Sequence, residues 1–437
     1  MKLYQTLTLY SVAAAALLAI TGCSDSPAKS SGDEPSKSAV EKPPEPVTVK
    51  FAAHGSQLPV EDFDKYFKNP VSKKYPYITI ERIDHTQKGT GLTDLIAAKE
   101  VPDMYMNGPL DLASYFELGL EGSIDDLIKA NKFDLTRIQP EVLKTMTDTL
   151  GRTDLIGIPW YNQGWAMMYN KDLFDKMATA YPKDNMTWDE IRDLAAKFNR
   201  TEGGVQYYGI APSDVFRGAY QLRLPWVDVQ TNKSLLLTSP GWKDVFELYA
   251  SFHQKGGLVP KGSDTLGMFT KGNIALFATS ATRTRSMRTV PGLNWDVATY
   301  PQMKTVPGYG HQVDPSVLLI PKAAKNRDAA FKVISVVLSD DVQRDMSHNV
   351  WVSVLENASI QNEFGKEFPD LNSKNMTAFT KLKRNGTMPS FGGVNAIGIT
   401  TTALNEVLYN NKDVNTALRE ADENLNKALE ERKQQKK

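Results

Sequence analysis

The sequence predicts an α/β protein of two lobes. Strand and helix patterns alternate from residue 47 onward, a second alternating unit follows the first, and 437 residues exceed what one core of ordinary size accommodates. Val47 to Ala53, "VTVKFAA", has the composition of a strand, and "VEDFDKYFKNPVSKKYP" after it reads as a helix broken near Pro70. "YITIERI" reads as a strand, "GLTDLIAAKE" as a helix, "PDMYMNG" as a strand ending in a turn, and "DLASYFELG" as a helix stopped by Gly119. This βαβαβα order implies a largely parallel sheet with helices on both faces, which binds ligands beyond the carboxyl ends of its strands. Asn107 and Asp111 fall at such an end.

In the second unit, "TWDEIRDLAAKF" opens with Thr187 and Glu190 at capping-box spacing and continues with helical periodicity. "YYGIAP" reads as a strand, "GWKDVFELYASFHQKGG" as a helix ended by a glycine pair, and "NIALFATS", "NWDVATYP" and "PSVLLIPK" as three further strands. The apolar helix "DAAFKVISVVLS" follows, and residues 403–433 read as a long amphipathic helix or helix pair.

Composition narrows the function. Lys plus Arg and Asp plus Glu balance at 51 each, so no basic field points to nucleic acid. Met1 to Cys23 has the form of a signal peptide: Lys2, the apolar run "YSVAAAALLAI", and the closing "ITGC". Ser24 to Pro46 mixes Ser, Pro and both charge signs, the composition of a solvated tether. No later apolar run approaches the roughly 20 residues of a membrane span. There is no GxSxG elbow, HExxH or Walker A motif, and one cysteine with five scattered histidines offers no ordinary zinc site, so neither metal nor cofactor is expected. Two opposed carboxylates of a glycosidase carry no local motif, and that alternative stays open.

The closing "ITGC" resembles the bacterial lipobox, which implies a lipid on Cys23. Together with "PDMYMNGPLDLASYFELGLEGSIDDLI", "GIPWYNQGWAMMYNKDLFDKM", "MTWDEIRDLAAKF", "YYGIAP", "MFTKGNIALFATSA" and "DPSVLLIPKAAKNRDAAFKVISVVLS", in that order, it resembles the family 1 extracellular solute-binding proteins of bacterial carbohydrate ABC importers, the group that includes maltose-binding protein. The resemblance implies a two-lobe periplasmic-binding-protein fold of class II type, with a hinge and an interlobe ligand cleft. It divides the chain into a signal peptide (1–22), a lipid-anchored linker (23–46), a first lobe (47–160 with about 308–350) and a second (about 161–307 with 351–437). Hinge crossings are expected within "PWYNQGW", near Pro301 to Gly310 and near His348 to Val352.

The implied function is capture of a carbohydrate, an oligosaccharide by expectation, by a monomer lipid-anchored at the cell membrane on the extracytoplasmic face, of Gram-positive form. Delivery goes to permease subunits with a separate ATPase. A ligand such as a peptide or polyamine is the other alternative. Matching positions make Trp160 and Tyr161 ring platforms for a pyranose, with packing as the competing role. Gln163 stands where relatives carry an acidic group. Asn107, Asp111, Tyr220, Trp226, His311 and Asp314 are further cleft candidates, and Trp351 is either platform or hinge packing. Arg283 and Arg285, after "NIALFATS", could fork onto a carboxylate and so suggest an acidic sugar. Trp165 and Tyr169 are expected to pack within a lobe.

Overall fold

The structure, a computed structural model, describes residues 44–108, 115–116, 118–150, 152–211, 215–228, 230–255, 257–386 and 394–435. Cys23, the signal and tether segments up to residue 43, and Asp111 lie outside the described residues. Glu45–Lys437 forms one compact unit.

Twelve strands are described: β1 (Val47–Ala53), β2 (Ile78–Asp84), β3 (Met104–Asn107), β4 (Gly157–Asn162), β5 (Trp165–Asn170), β6 (Arg200–Glu202), β7 (Val205–Ala211), β8 (Val227–Asp228), β9 (Lys233–Ser234), β10 (Ile274–Ser280), β11 (Trp295–Thr299) and β12 (Pro315–Leu319). They build two five-stranded sheets, ordered β2-β1-β3-β12-β4 and β11-β5-β10-β7-β6, and the small pair β8-β9. Pairing is parallel between β1 and both β2 and β3, and between β7 and β10. β12 runs antiparallel between β3 and β4, as β5 does between β10 and β11.

Each sheet is covered by helices, and the apolar side chains separate accordingly. Phe51, Ile158, Leu318, Phe331 and Ile334 belong to a core around the first sheet. Met167, Trp188, Trp242, Phe246 and Leu404 belong to one around the second, and Met168, Phe269 and Phe379 to a third cluster on that sheet. The two-lobe α/β fold is the one the sequence implies. The capping box also forms: Thr187 Oγ1 accepts from the Glu190 amide and Glu190 Oε2 accepts from the Thr187 amide.

Two elements differ from their sequence reading. The first helix runs through Pro70 in consecutive segments, Val60–Phe63, Asp64–Lys68 and Asn69–Lys74. The middle segment is a wider π turn, so Pro70 sits in the first turn of the last segment, where the N–H it lacks is least missed. In addition, Trp351, Val354, Leu355 and Ile360 join the first core, although residues from 351 onward are expected in the second lobe. The chain alternates here, since Val350 and Val352 belong to the cluster on the second sheet.

The first crossing lies between β4 and β5, at Gln163 and Gly164. A Cβ on Gly164 would come within 2.9 Å of Val352 Cγ2 and 3.1 Å of the Phe379 carbonyl oxygen, so the third crossing can pass this closely only beside glycine. Just before it, the register of β4 on β12 shifts: Ser316 faces Tyr161 while Val317 faces Pro159, which leaves Trp160 as an extra residue without a partner. A bulge of this kind turns two successive side chains toward one side. The Trp160 and Tyr161 rings accordingly meet at 4.7 Å, and each meets Trp351, at 5.4 and 4.6 Å. Trp160 is wholly buried against Phe67, with its indole N–H donating to Ser316 Oγ at 3.0 Å. Tyr161 and Trp351 are nearly as buried.

This placement gives Trp160 the work of core packing. Trp160→Ala is expected to lower the unfolding free energy of the ligand-free protein by roughly 3–5 kcal/mol, read from chemical denaturation. A ligand-free midpoint that stays put while affinity collapses would return Trp160 to the role of ligand platform.

Candidate ligand cleft

The carboxyl ends of β1, β3 and β4 in the first sheet and of β7 and β10 in the second are where such sheets bind ligands, and the crossings lie beside them. Backbone groups lace the crossings together. Asn162 N–H donates to the Val352 carbonyl at 2.8 Å, Gln163 N–H to Asp314 at 2.9 Å, and Ala281 N–H to Gly164 at 2.8 Å. The Asp314 amide donates to Asn162 Oδ1 at 2.9 Å. Gln163 itself is only partly buried.

One charged cluster forms where β5 begins. Arg217, on the helix Val215–Gln221, lays its guanidinium 3.6 Å from the centre of the Trp165 ring. Its Nη1 lies 2.5 Å from His311 Nε2 and 3.5 Å from Asp314 Oδ2. His311 stacks beside Trp165 at 5.2 Å and 19° and meets Tyr300 edge-on at 5.6 Å. Its Nδ1 donates to the Gln312 carbonyl at 2.8 Å, which leaves Nε2 to accept from Arg217 and fixes the ring as neutral. Burial, helped by the charge of Arg217, holds His311 well below the usual imidazole range. Burial raises the Asp314 carboxyl, and Arg217 opposes it. Trp165 packs against the second core, within a lobe as the sequence reading expects, and is partly exposed with a cation on its ring.

A second charged contact bridges the lobes. Arg285, on the short helix Thr284–Met287 that follows β10, donates from Nη1 and Nη2 to Asp62 at 2.7 and 2.8 Å. Asp62 belongs to the first turn of the first-lobe helix and its side chain is 3% exposed. The guanidinium also lies 5.9 Å from the Trp351 ring centre. Its fork is therefore taken by a carboxylate of the protein, which corrects the suggestion that Arg285 serves an acidic sugar. Arg283, two residues earlier, is exposed to solvent.

The remaining candidates separate. Asn107 is partly buried at the end of β3, where its Oδ1 accepts from the Gly108 amide and its Nδ2 donates to Tyr105 Oη at 3.3 Å. Tyr220 and Trp226 do not reach the strand ends. They meet at 5.3 Å, tilted by 60°, inside the second core, where Trp226 also packs on Trp242 at 4.7 Å and donates to Thr400 Oγ1 at 3.1 Å. The segment after β7 turns into a helix that carries Tyr220 inward and sets Arg217 against Trp165. Sequence reasoning missed Arg217 and Asp62. Arg217 sits three residues before Tyr220 in "FRGAY", and an acid in a first helical turn reads as ordinary dipole chemistry. Among the described residues no group of three or more metal-ligating side chains occurs.

His311 makes a pH signature. The folded state holds it neutral, whereas the unfolded chain takes up a proton at the ordinary value near 6.5, so its contribution is present above that pH and is lost as the pH falls. His85, also lowered first by burial, adds in the same sense. Unfolding free energy is expected to drop between pH 7 and 5, with His311 supplying up to about 1.4 kcal/mol per pH unit. His311→Gln should flatten this slope in denaturation series; an unchanged slope would remove His311 as its source.

Comparison with known proteins places this geometry. Solved structures superpose over most of the chain. An ABC substrate-binding protein from Listeria monocytogenes in complex with cycloalternan aligns with a TM-score of 0.74 at 19% identity, covering 88% of this chain and 99% of that one. The sugar-binding protein MalE from Xanthomonas citri gives 0.70 at 20%, covering 89% and 98%. UgpB from Mycobacterium tuberculosis in complex with glycerophosphocholine gives 0.69 at 15%, covering 89% and 99%. In sequence, a binding protein of Brucella abortus is 25% identical over 305 residues, covering 67% of this chain and 70% of its own. Residues 65–362 match the family model for bacterial extracellular solute-binding proteins, and the chain belongs to that family.

Proposed function

We propose that the protein captures a carbohydrate, preferably an oligosaccharide, between its lobes and delivers it to an ABC permease driven by a separate ATPase. The observation that carries this reading is the setting of Trp165: a partly exposed indole beside Gln163, His311 and Arg217 at the strand ends. With Arg217 and His311 lying against the ring, its exposed edge offers apolar contact to a sugar while the Gln163 amide and Arg217 guanidinium offer donors to hydroxyls. Similar folds have been solved with cycloalternan bound and as a sugar-binding protein, which supports the substrate class. The ligand set we propose is Gln163, Asn107, Asp111, Arg283, His311 and Asp314, with Trp165 and Arg217 added.

The reading is of a binder that performs no chemistry. Among the described residues, Asp62 and Asp314 are each engaged by an arginine, a poor state for the acid and nucleophile of a glycosidase. The terminal "ITGC" supports lipidation of Cys23 and a tether to the extracytoplasmic face of the membrane. Among the described residues no helix is long and apolar enough to cross a membrane, which fits delivery to a separate permease.

Thermal-shift screening of neutral oligosaccharides, uronates, peptides, polyamines and glycerophosphocholine tests the reading. A neutral oligosaccharide at 100 times its Kd should add about 2.7 kcal/mol of stability, with no cleaved sugar on chromatography. Cleavage would establish the glycosidase, and shifts confined to the non-sugars would overturn the substrate class. Arg285→Gln should weaken neutral and acidic sugars equally, roughly tenfold or about 1.4 kcal/mol, because it removes an interlobe bridge and not a ligand contact. A loss confined to uronates would restore Arg285 to the ligand site.

A further inference from the structure

The ends of β1, β2 and β3 carry a row of rings outside the ligand set proposed for the cleft. The three strands run parallel in the order β2-β1-β3, so their carboxyl ends lie side by side. His54 follows β1 directly and His85 follows β2, and the His85 amide carries the ladder one residue further by donating to the Ala53 carbonyl at 3.1 Å. The two imidazoles therefore meet edge to face, at 5.5 Å and 86°. His85 in turn rests on Tyr105 of β3 at 5.0 Å, and Tyr105 stacks on Tyr115 at 6.0 Å and 9°. Both tyrosines are buried, whereas His54 and His85 are partly exposed, next to the exposed Ser56.

Asp84 sets this arrangement. Its Oδ1 accepts from the Gly55 amide at 3.1 Å and from the Thr86 amide and hydroxyl at 3.0 and 2.6 Å, while its Oδ2 accepts from Gln87 Nε2 at 3.2 Å. A Cβ on Gly55 would collide with the Asp84 carboxylate, so only glycine lets the loop after β1 close on the loop after β2. The loop is tied again where the Leu58 amide donates to the His54 carbonyl at 2.9 Å and Arg82 Nη2 donates to the Leu58 carbonyl at 2.8 Å. The Thr86 hydroxyl above all holds the Asp84 carboxyl down to about 2, so that charge is spent between the loops. The same loop leads into the helix beginning at Val60, whose first turn brings Asp62 to Arg285 of the second lobe. Lobe closure therefore brings the second lobe to this loop.

We propose that His54 is a further ligand contact of the cleft, offering its imidazole to a sugar hydroxyl, and that His85 is the positioning residue that braces it; this rests on the carbohydrate reading. Ser56 Oγ pairs with His54 Nδ1 at 3.3 Å, which leaves Nε2 to the ligand. An imidazole nitrogen donates or accepts according to its tautomer, and a hydroxyl does either, so the two suit each other without a formal charge. Asp84 beside them already has its donors. His85 plays a different part. Its Nε2 is buried without a partner, so what it gives His54 is the ring itself, backed by Tyr105. Asn107, at the end of the neighbouring β3 and donating to Tyr105 Oη at 3.3 Å, continues the same row of strand ends.

Isothermal titration calorimetry on the full chain with maltotriose, mannotriose, cycloalternan and glycerophosphocholine tests both roles, beside the denaturation midpoint of each ligand-free variant. His54→Ala should lower the affinity of whichever sugar binds by roughly tenfold, with the midpoint unchanged. His54→Gln, which keeps a side-chain donor and acceptor, should recover part of that loss. His85→Ala should weaken binding by a similar factor, while His85→Phe, which keeps a ring against His54 and Tyr105, should retain the affinity of the unaltered protein. Because His85→Phe replaces an unpartnered buried nitrogen with carbon, its midpoint should hold or rise. Sugar affinity unmoved by His54→Ala overturns the contact and leaves the carbohydrate reading intact. Equal losses in His85→Ala and His85→Phe overturn the bracing role. Binding of glycerophosphocholine alone, weakened by His54→Ala, would remove the carbohydrate reading and keep His54 as a contact. Silence of all the probes overturns both.

Discussion

Three chain crossings must run side by side at the join between two sheets, and the packing of Trp160, Tyr161 and Trp351 holds them there. Trp160 and Tyr161 come from the first crossing, Trp351 from the third, and Ser316, which accepts from the Trp160 indole, from the strand that follows the second. The β4 bulge is the cause. A regular strand would send the two aromatics to opposite faces, whereas an extra residue at Trp160 lets both meet one partner. Gln343 reinforces the junction by donating to the Trp160 carbonyl at 2.8 Å while accepting from Ser353 Oγ at 2.7 Å. The aromatic cluster belongs to the first core and extends it to the hinge.

The charged residues near the cleft take their roles from that rigid base. Arg217 is held between an indole face, a neutral imidazole and a buried carboxylate, so its position is fixed before any ligand arrives. Fixed donors lose little rotamer entropy on binding, and this is how polar groups discriminate among hydroxylated ligands. Arg285 and Asp62 act differently. A nearly buried carboxylate from one lobe and a guanidinium from the other meet only when the lobes are close, so their contact contributes to the closed arrangement whatever is bound.

Much of the fold was legible because it rests on local periodicity. The alternating strands and helices and the capping box at Thr187 each have a short-range signal, whereas the first crossing beside Gly164 rests on the family resemblance. What escaped depends on long-range partners. Asp62 and Arg285 are 223 positions apart, and nothing within either segment announces the other. Trp226 and Tyr220 look like cleft aromatics because they follow a strand, but Tyr220 on the helix Val215–Gln221 and Trp226 in the segment after it both pack into the second core. The aromatics of "GIPWYNQGW" depart from the sequence reading before the glycine, where Trp160 and Tyr161 are buried, and not after it, where Trp165 packs against the second core while staying partly exposed. A one-residue bulge, invisible to pattern, turns Trp160 and Tyr161 into the first core.

A hinge built this way has two unlike faces, and the difference bears on how it can move. On one face the aromatic cluster lies largely within the first core, so it travels with that lobe as a block when the second rotates. On the other face, the cavity beside Asn162, Val313 and Val352 is walled by both lobes, so rotation must change its volume. An apolar void opening there would stay dry and forfeit the contacts of its lining. Carboxylates, a lysine and an arginine instead let water or a polar solute fill the space as it changes. The polar rear face thus lets the lobes separate and approach without tearing a hydrophobic interface, and the rigid aromatic face preserves the geometry of the crossings while they do.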